Sequence, residues 1–144
     1  MTASVPSVVT AFIDGASQGN PGPAGAGAVL IDEAGQIVAE VSMPLGRTTN
    51  NVAEYLALVY ALQAAQQHGI RRLAVKTDSE LLARQIMGQY KVRDATLRLF
   101  HDLAQHAFQG LLQWSIVHIP REQNAQADRL ASQAATRSSL TSAA

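Results

Sequence analysis

"TTNNVAEYLALVYALQAAQQHG", residues 48–69, contains one formally charged side chain, Glu54, in a run that is otherwise apolar or neutral. Apolar residues recur at Val52, Leu56 and Val59, and at Leu58, Ala61, Leu62 and Ala65. That spacing predicts a helix buried over most of its circumference, closed by Gly69 in a C-cap position. Glu54 shares a stripe with Leu58, Ala61 and Ala65, four, seven and eleven positions further on. A carboxylate aimed at a core is costly unless a partner compensates for its lost hydration. What Glu54 is for therefore governs how the rest of the chain is read.

On the N-terminal side, "SVVTAFID" is a β-rich run ending at Asp14, followed by the turn-forming "GASQGNPGPAG". "AGAVLID" and "GQIVAEVSMP" read as strands two and three, joined at "DEAG" as a hairpin. On the C-terminal side, "RRLAVKTD" is a fourth strand ending at Asp78, and "SELLARQIMG" a short helix. "DATLRLFHDLAQHAFQ" is a helix with apolar spacing at Leu97, Phe100, Ala104 and Ala107. "LQWSIVHI" is strand five, and "NAQADRLASQAAT" a last helix with Asn124 as its expected cap. This order predicts an α/β fold with a five-stranded mixed sheet flanked by helices. Strands 1–3 form an antiparallel meander, and helical crossovers make strands 4–5 parallel. One domain over residues 8–136 is expected, with disordered tails at 1–7 and 137–144.

The 144 residues balance eleven basic against eleven acidic side chains and contain no cysteine. Disulfides, thiolate metal sites and cysteine nucleophiles are thereby excluded, and a strongly basic nucleic-acid binder is disfavoured. No apolar stretch reaches the roughly 18 residues that span a bilayer, and "MTASVPS" lacks the features of a signal peptide. A cytoplasmic protein is the expectation.

Four acids occupy unusual places: Asp14 and Asp78 at strand ends, Glu54 on its buried stripe, and Asp128 in the last helix. Alone, Asp14 reads as a turn residue, Asp78 as part of a capping box from Thr77 to Glu80, and Asp128 as a complement to a helix dipole. Together they read differently, because carboxyl ends of strands favour active sites. Clustered carboxylates repel and take up protons unless cations neutralise them. Oxygen donors without sulfur or clustered histidine imply Mg²⁺ or Mn²⁺. Four carboxylates balance two divalent ions, the pattern of two-metal phosphoryl chemistry.

"IDGASQGNPGPAGAGAVL", "TTNNVAEYLALVYAL", "TDSELL" and "NAQADRLA" resemble, in order, the four signature segments of ribonuclease H type 1. The resemblance covers about residues 8–136. It implies the ribonuclease H-like fold and endonucleolytic cleavage of the RNA strand of RNA/DNA hybrids, giving 5′-phosphate and 3′-hydroxyl ends. It implies two Mg²⁺ ions per site, with Mn²⁺ able to substitute. Asp14 would bridge both ions, Glu54 and Asp78 would bind one, and Asp128 the other. Asn20, Asn50 and Asn51 match minor-groove contacts, the helix cap being the alternative for the last two. Gly15 begins a stretch whose backbone would approach sugar and phosphate. Arg47 and Thr49 match a DNA-phosphate site, and Glu80 stands where relatives often carry Gln. A monomer acting on hybrid duplex is expected, with double-stranded RNA left open as a substrate.

Two departures from the family pattern stand out. The segment "MGQYKVRDATLRLF" is too short for the family's basic protrusion, which assigns the chain to a compact branch with only Tyr90, Lys91 and Arg93 in that region. Weaker, more salt-sensitive binding follows. His118 alternates with Trp114 and Ile116 and is expected to be a satisfied structural residue; the resemblance to the compact branch instead implies that Arg121, in the loop before Asp128, assists product release or orients the attacking water. The rival readings are another polynucleotidyl transferase of the same fold and a catalytically silent duplex-binding module. The asparagine pair and glycine stretch oppose the first, and the complete set of acids opposes the second.

Overall fold

Strands β1 (Val9–Ser17), β2 (Gly22–Ile31), β3 (Ile37–Thr48), β4 (Arg72–Thr77) and β5 (Gln113–His118) form one mixed sheet, ordered β3-β2-β1-β4-β5. The first three pair antiparallel, while β1–β4 and β4–β5 are parallel, as the element order requires. The structure is a computed structural model and describes residues 7–142.

Helix α1 (Asn50–Gln67) packs against β1 and β2. It ends in a Schellman arrangement: Gly69 adopts a left-handed φ of 67°, its N–H reaches the Gln66 carbonyl, and the Ile70 N–H reaches that of Ala65. Helices α2 (Glu80–Ile86) and α3 (Ala95–Phe108) flank the same face of the sheet. Leu97, Ala104 and Phe108 are the buried positions of α3. Ala107, expected to face inward, is exposed, because Phe108 takes the core position and stacks on Trp114 at 4.1 Å. Among the described residues no helix is long and apolar enough to cross a membrane.

Helix α4 (Ala125–Ser142) covers β2, β3 and β1 on the other face. Its contact depends on missing side chains. A Cβ on Gly25 would lie 2.3 Å from the Ala131 carbonyl, and one on Gly27 would lie 2.4 Å from that of Ala127. Only glycine opposite an alanine face lets backbone meet backbone so closely.

Several expectations need correction. β1 and β2 extend through Ser17 and from Gly22, so most of the glycine-rich segment is strand rather than turn. β3 continues past Pro44, which an edge strand tolerates. A bulge there leaves Leu45 unpaired between Pro44 and Gly46. The expected tail from residue 137 begins as helix: buried Ser138 donates to the Ala24 carbonyl at 2.7 Å and accepts from the Gly46 N–H at 3.0 Å. These partners lie on strands more than ninety residues away, which no local pattern announces. The expected N-terminal tail, apart from Ser7, and residues 143–144 lie outside the described residues.

Candidate active site

Asp14 is on β1 where it meets β4, since the neighbouring Ile13 registers with Thr77 and Asp78 follows Thr77 directly. Glu54 reaches the same point from the first turns of α1. α1 can approach because Gly15 has no side chain: a Cβ there would lie 2.4 Å from the Ala53 carbonyl carbon and the Glu54 nitrogen. The Gly15 N–H donates a short hydrogen bond to Glu54 Oε1. The Gly15 amide is therefore committed to Glu54 rather than to an incoming backbone.

One oxygen from each of Asp14, Glu54 and Asp78 lies within 4.8 Å of the others. Asp14 and Glu54 are both only 6% exposed. Burial pushes the Asp14 carboxyl far above the usual carboxylate range, and Glu54 and then Asp78 push it further. Glu54 is also raised, chiefly by burial, with the Gly15 amide opposing part of the shift. Asp128, on α4, stands outside this trio but within hydrogen-bonding reach of Asp14, and its Oδ1 lies 4.0 Å from Arg121. All four acids line one cleft of about 530 Å³ with Arg121, Gly15, Asn50 and Asn51. Oxygen donors at this spacing, unaccompanied by sulfur or imidazole, suit a hard divalent cation.

The remaining expected residues are distributed unevenly. Asn20 sits at the rim, its Oδ1 accepting from the Asn50 N–H at 2.9 Å. Thr49, not either asparagine, caps α1 by accepting from the Val52 N–H at 3.3 Å, so the side chains of Asn50 and Asn51 are free of that task. Arg47 is exposed on β3 and lies outside the cleft lining. Glu80 is exposed too, paired to Arg84 at 3.6 Å. Ser79 rather than Thr77 caps α2, accepting from the Leu82 N–H at 3.2 Å.

Two further expectations fail. His118 is exposed and makes no hydrogen bond or ion pair among the described residues. It is the last residue of β5, where alternation breaks and Ile119 turns inward instead. Asn124 is 1% exposed but does not cap α4 with its side chain: Nδ2 donates to the Ile13 carbonyl at 2.8 Å, and Oδ1 has no partner among the described residues.

Sequence reasoning missed Ser132 and Thr136, which line the cleft, and Gln18, whose Nε2 donates to Thr136 Oγ1 at 3.3 Å. A signal was available, since Asp128, Ser132 and Thr136 follow one another at four-residue spacing and so share a helix face.

A family model described as Reverse transcriptase-like matches residues 12–134. The chain is 45% identical to Ribonuclease HI of Halobacterium salinarum over 126 residues, 88% of this chain. The crystal structure of RNase H1 from that archaeon matches with a TM-score of 0.86, covering 88% of this chain and 96% of that one. LC11-RNase H1, isolated from compost and solved in complex with RNA/DNA hybrid, is 41% identical with a TM-score of 0.82, covering 91% and 97%. The chain spans 63% of the length of the Halobacterium relative. It spans 34% of a bifunctional protein of Mycobacterium tuberculosis that is 40% identical over 122 residues.

Sheet order, crossover pattern and acid placement together define a ribonuclease H-like domain. Within that class, the chain belongs to the ribonuclease H type 1 family.

Proposed function

We propose that the chain is an endoribonuclease that hydrolyses the RNA strand of RNA/DNA hybrids, leaving 5′-phosphate and 3′-hydroxyl ends. The observation that carries this reading is the gathering of Asp14, Glu54 and Asp78 oxygens within 4.8 Å at the carboxyl end of the sheet. Three like charges, two of them buried and one half-buried, are costly to keep together, and a protein that needed only stability would replace them. A pair of Mg²⁺ ions, held by the trio and by Asp128, would supply charge neutralisation and a nucleophile at neutral pH.

The chain's own groups do the rest. Asn50 and Asn51 carry amides that both donate and accept, which suits a 2′-hydroxyl able to do the same. Thr49 Oγ1 uses a lone pair on Val52, leaving its proton to donate to a phosphate oxygen. Arg47 stands two residues away with a permanent charge. Such contacts fix the register of a duplex without reading its sequence. Arg121 is 83% exposed beside Asp128 and free to swing toward a phosphate as product leaves. It stays protonated and so cannot serve as a base. The relative solved in complex with RNA/DNA hybrid supports the choice of substrate. The eight residues 87–94 that join α2 to α3 fit the compact branch, and a monomer is the proposed working form.

The test is digestion of an internally labelled hybrid beside single-stranded RNA, double-stranded RNA and duplex DNA, with Mg²⁺ and with a chelator. Internal cuts in the RNA of the hybrid, lost with chelator and in Asp14→Asn, are expected. Loss of terminal nucleotides alone would point to an exonuclease of the same fold. Cleavage undiminished in Asp14→Asn would overturn the metal scheme.

A further inference from the structure

The segment from Arg121 to Asp128 carries two residues of the proposed site and lies between the end of β5 at His118 and the first turn of α4. Asn124 sits between them and bonds toward each. Its N–H donates to the Arg121 carbonyl at 2.9 Å, and its carbonyl accepts from the Asp128 N–H at 3.0 Å. Its side chain crosses to β1, where Nδ2 donates to the Ile13 carbonyl at 2.8 Å, the peptide group that leads directly into Asp14.

The direction of that side chain is informative. An asparagine before a helix ordinarily turns its oxygen onto the helix's free N–H groups. Here the amide points its donor at a carbonyl, and its own Oδ1 is buried without a partner among the described residues. The orientation is unambiguous, because a carbonyl can only accept. Capping is forgone and a buried acceptor is tolerated, so the tie to the strand is what the site retains.

We infer that Asn124 is a positioning residue that locks the Arg121–Asp128 segment onto β1 and thereby sets Asp128 and Arg121 relative to Asp14. It touches neither substrate nor ion in this scheme. The inference rests on the proposed function for its catalytic readout, but not for its metal-binding readout.

Asn124→Ala removes the tie. Asn124→Ser restores a good helix cap while being too short to reach Ile13, so it separates positioning from stability. For both variants, the Mg²⁺ concentration that half-saturates the rise in Tm should increase about tenfold or more, the range typical of groups that orient metal ligands. Hybrid binding in chelator, read by fluorescence anisotropy, should change less than about twofold, because Asn50 and Asn51 are untouched. In Mg²⁺, kcat should fall about tenfold to a hundredfold with KM little altered. Combining Asn124→Ser with Arg121→Ala should give less than the product of the two losses.

An Mg²⁺ response in Asn124→Ser equal to that of wild type overturns the inference, whether or not the wild type cleaves hybrid. A wild type that binds Mg²⁺ in this way but cuts no hybrid would instead sink the nuclease reading alone.

Discussion

Removing one of the two buried carboxylates of the acidic trio should stabilise the metal-free protein, and the gain should depend on pH. Asp14 takes part in two of the three charge pairs, with oxygens no more than 4.8 Å apart. At that distance and an effective dielectric constant of about 20, each pair costs about 3.5 kcal/mol when both members are ionised. Full repulsion is never felt, because the protein can protonate Asp14 instead. From its ordinary value of 3.8, that costs about 1.4 kcal/mol for each unit by which the pH exceeds it. The escape sets a ceiling of about 6 kcal/mol at pH 8 and about 1.6 kcal/mol at pH 5.

Asp14 is raised in the folded state. Its favourable contribution is therefore complete below about pH 4 and is lost as pH rises toward the folded value. Asp14→Asn removes that loss. In chelator at about pH 8 the variant should melt roughly 10 °C above wild type, and at about pH 5 by less than about 5 °C, using about 3 °C per kcal/mol for a chain of this length. Scanning calorimetry across this range checks it. Saturating Mg²⁺ should narrow the gap by stabilising wild type more than the variant. A variant no more stable than wild type at the higher pH, or a difference that ignores pH, would refute mutual repulsion within the acidic trio.

Gly15→Ala places a Cβ 2.4 Å from the α1 backbone at Glu54, so α1 must retreat. A loss of about 1–3 kcal/mol in denaturant unfolding and about a hundredfold in kcat are expected. Arg121→Ala should slow turnover far more than His118→Ala, because Arg121 lines the cleft and His118 does not, and the opposite ranking would reverse the assignment. Lys91 and Arg93 are the only cations between α2 and α3, so replacing both with alanine should raise KM for hybrid and flatten the slope of log KM against log salt by about two units, and an unchanged slope would show that contacts elsewhere carry affinity. Ending the chain at Thr136 should cost about 2 kcal/mol or more by stripping Ala24 and Gly46 of their buried Ser138 partner, read as a lower denaturation midpoint.

Much of this molecule is legible in its order of residues. A two-residue period marks the strands, a near-four-residue period marks the helices, and their succession leaves few topologies for one sheet. Asp14, Glu54 and Asp78 could be singled out because each breaks its local pattern: a charge closing an apolar strand, or a charge inside an apolar stripe. Periodicity depends only on neighbours, so it can be read without coordinates.

What small polar residues do could not be read that way. Thr49, Asn50 and Asn51 are equally plausible caps in sequence, and only packing at the start of α1 gives the task to Thr49. Asn124 looks like a helix cap and instead bonds a strand 111 residues earlier. Ser138 sits in a run of small polar residues that resembles a tail, yet it is buried because Gly25 and Gly27 let α4 settle deeply onto β2. A short polar side chain bonds whatever donor or acceptor the tertiary fold brings within about 3 Å, and distance along the chain says nothing about which that is.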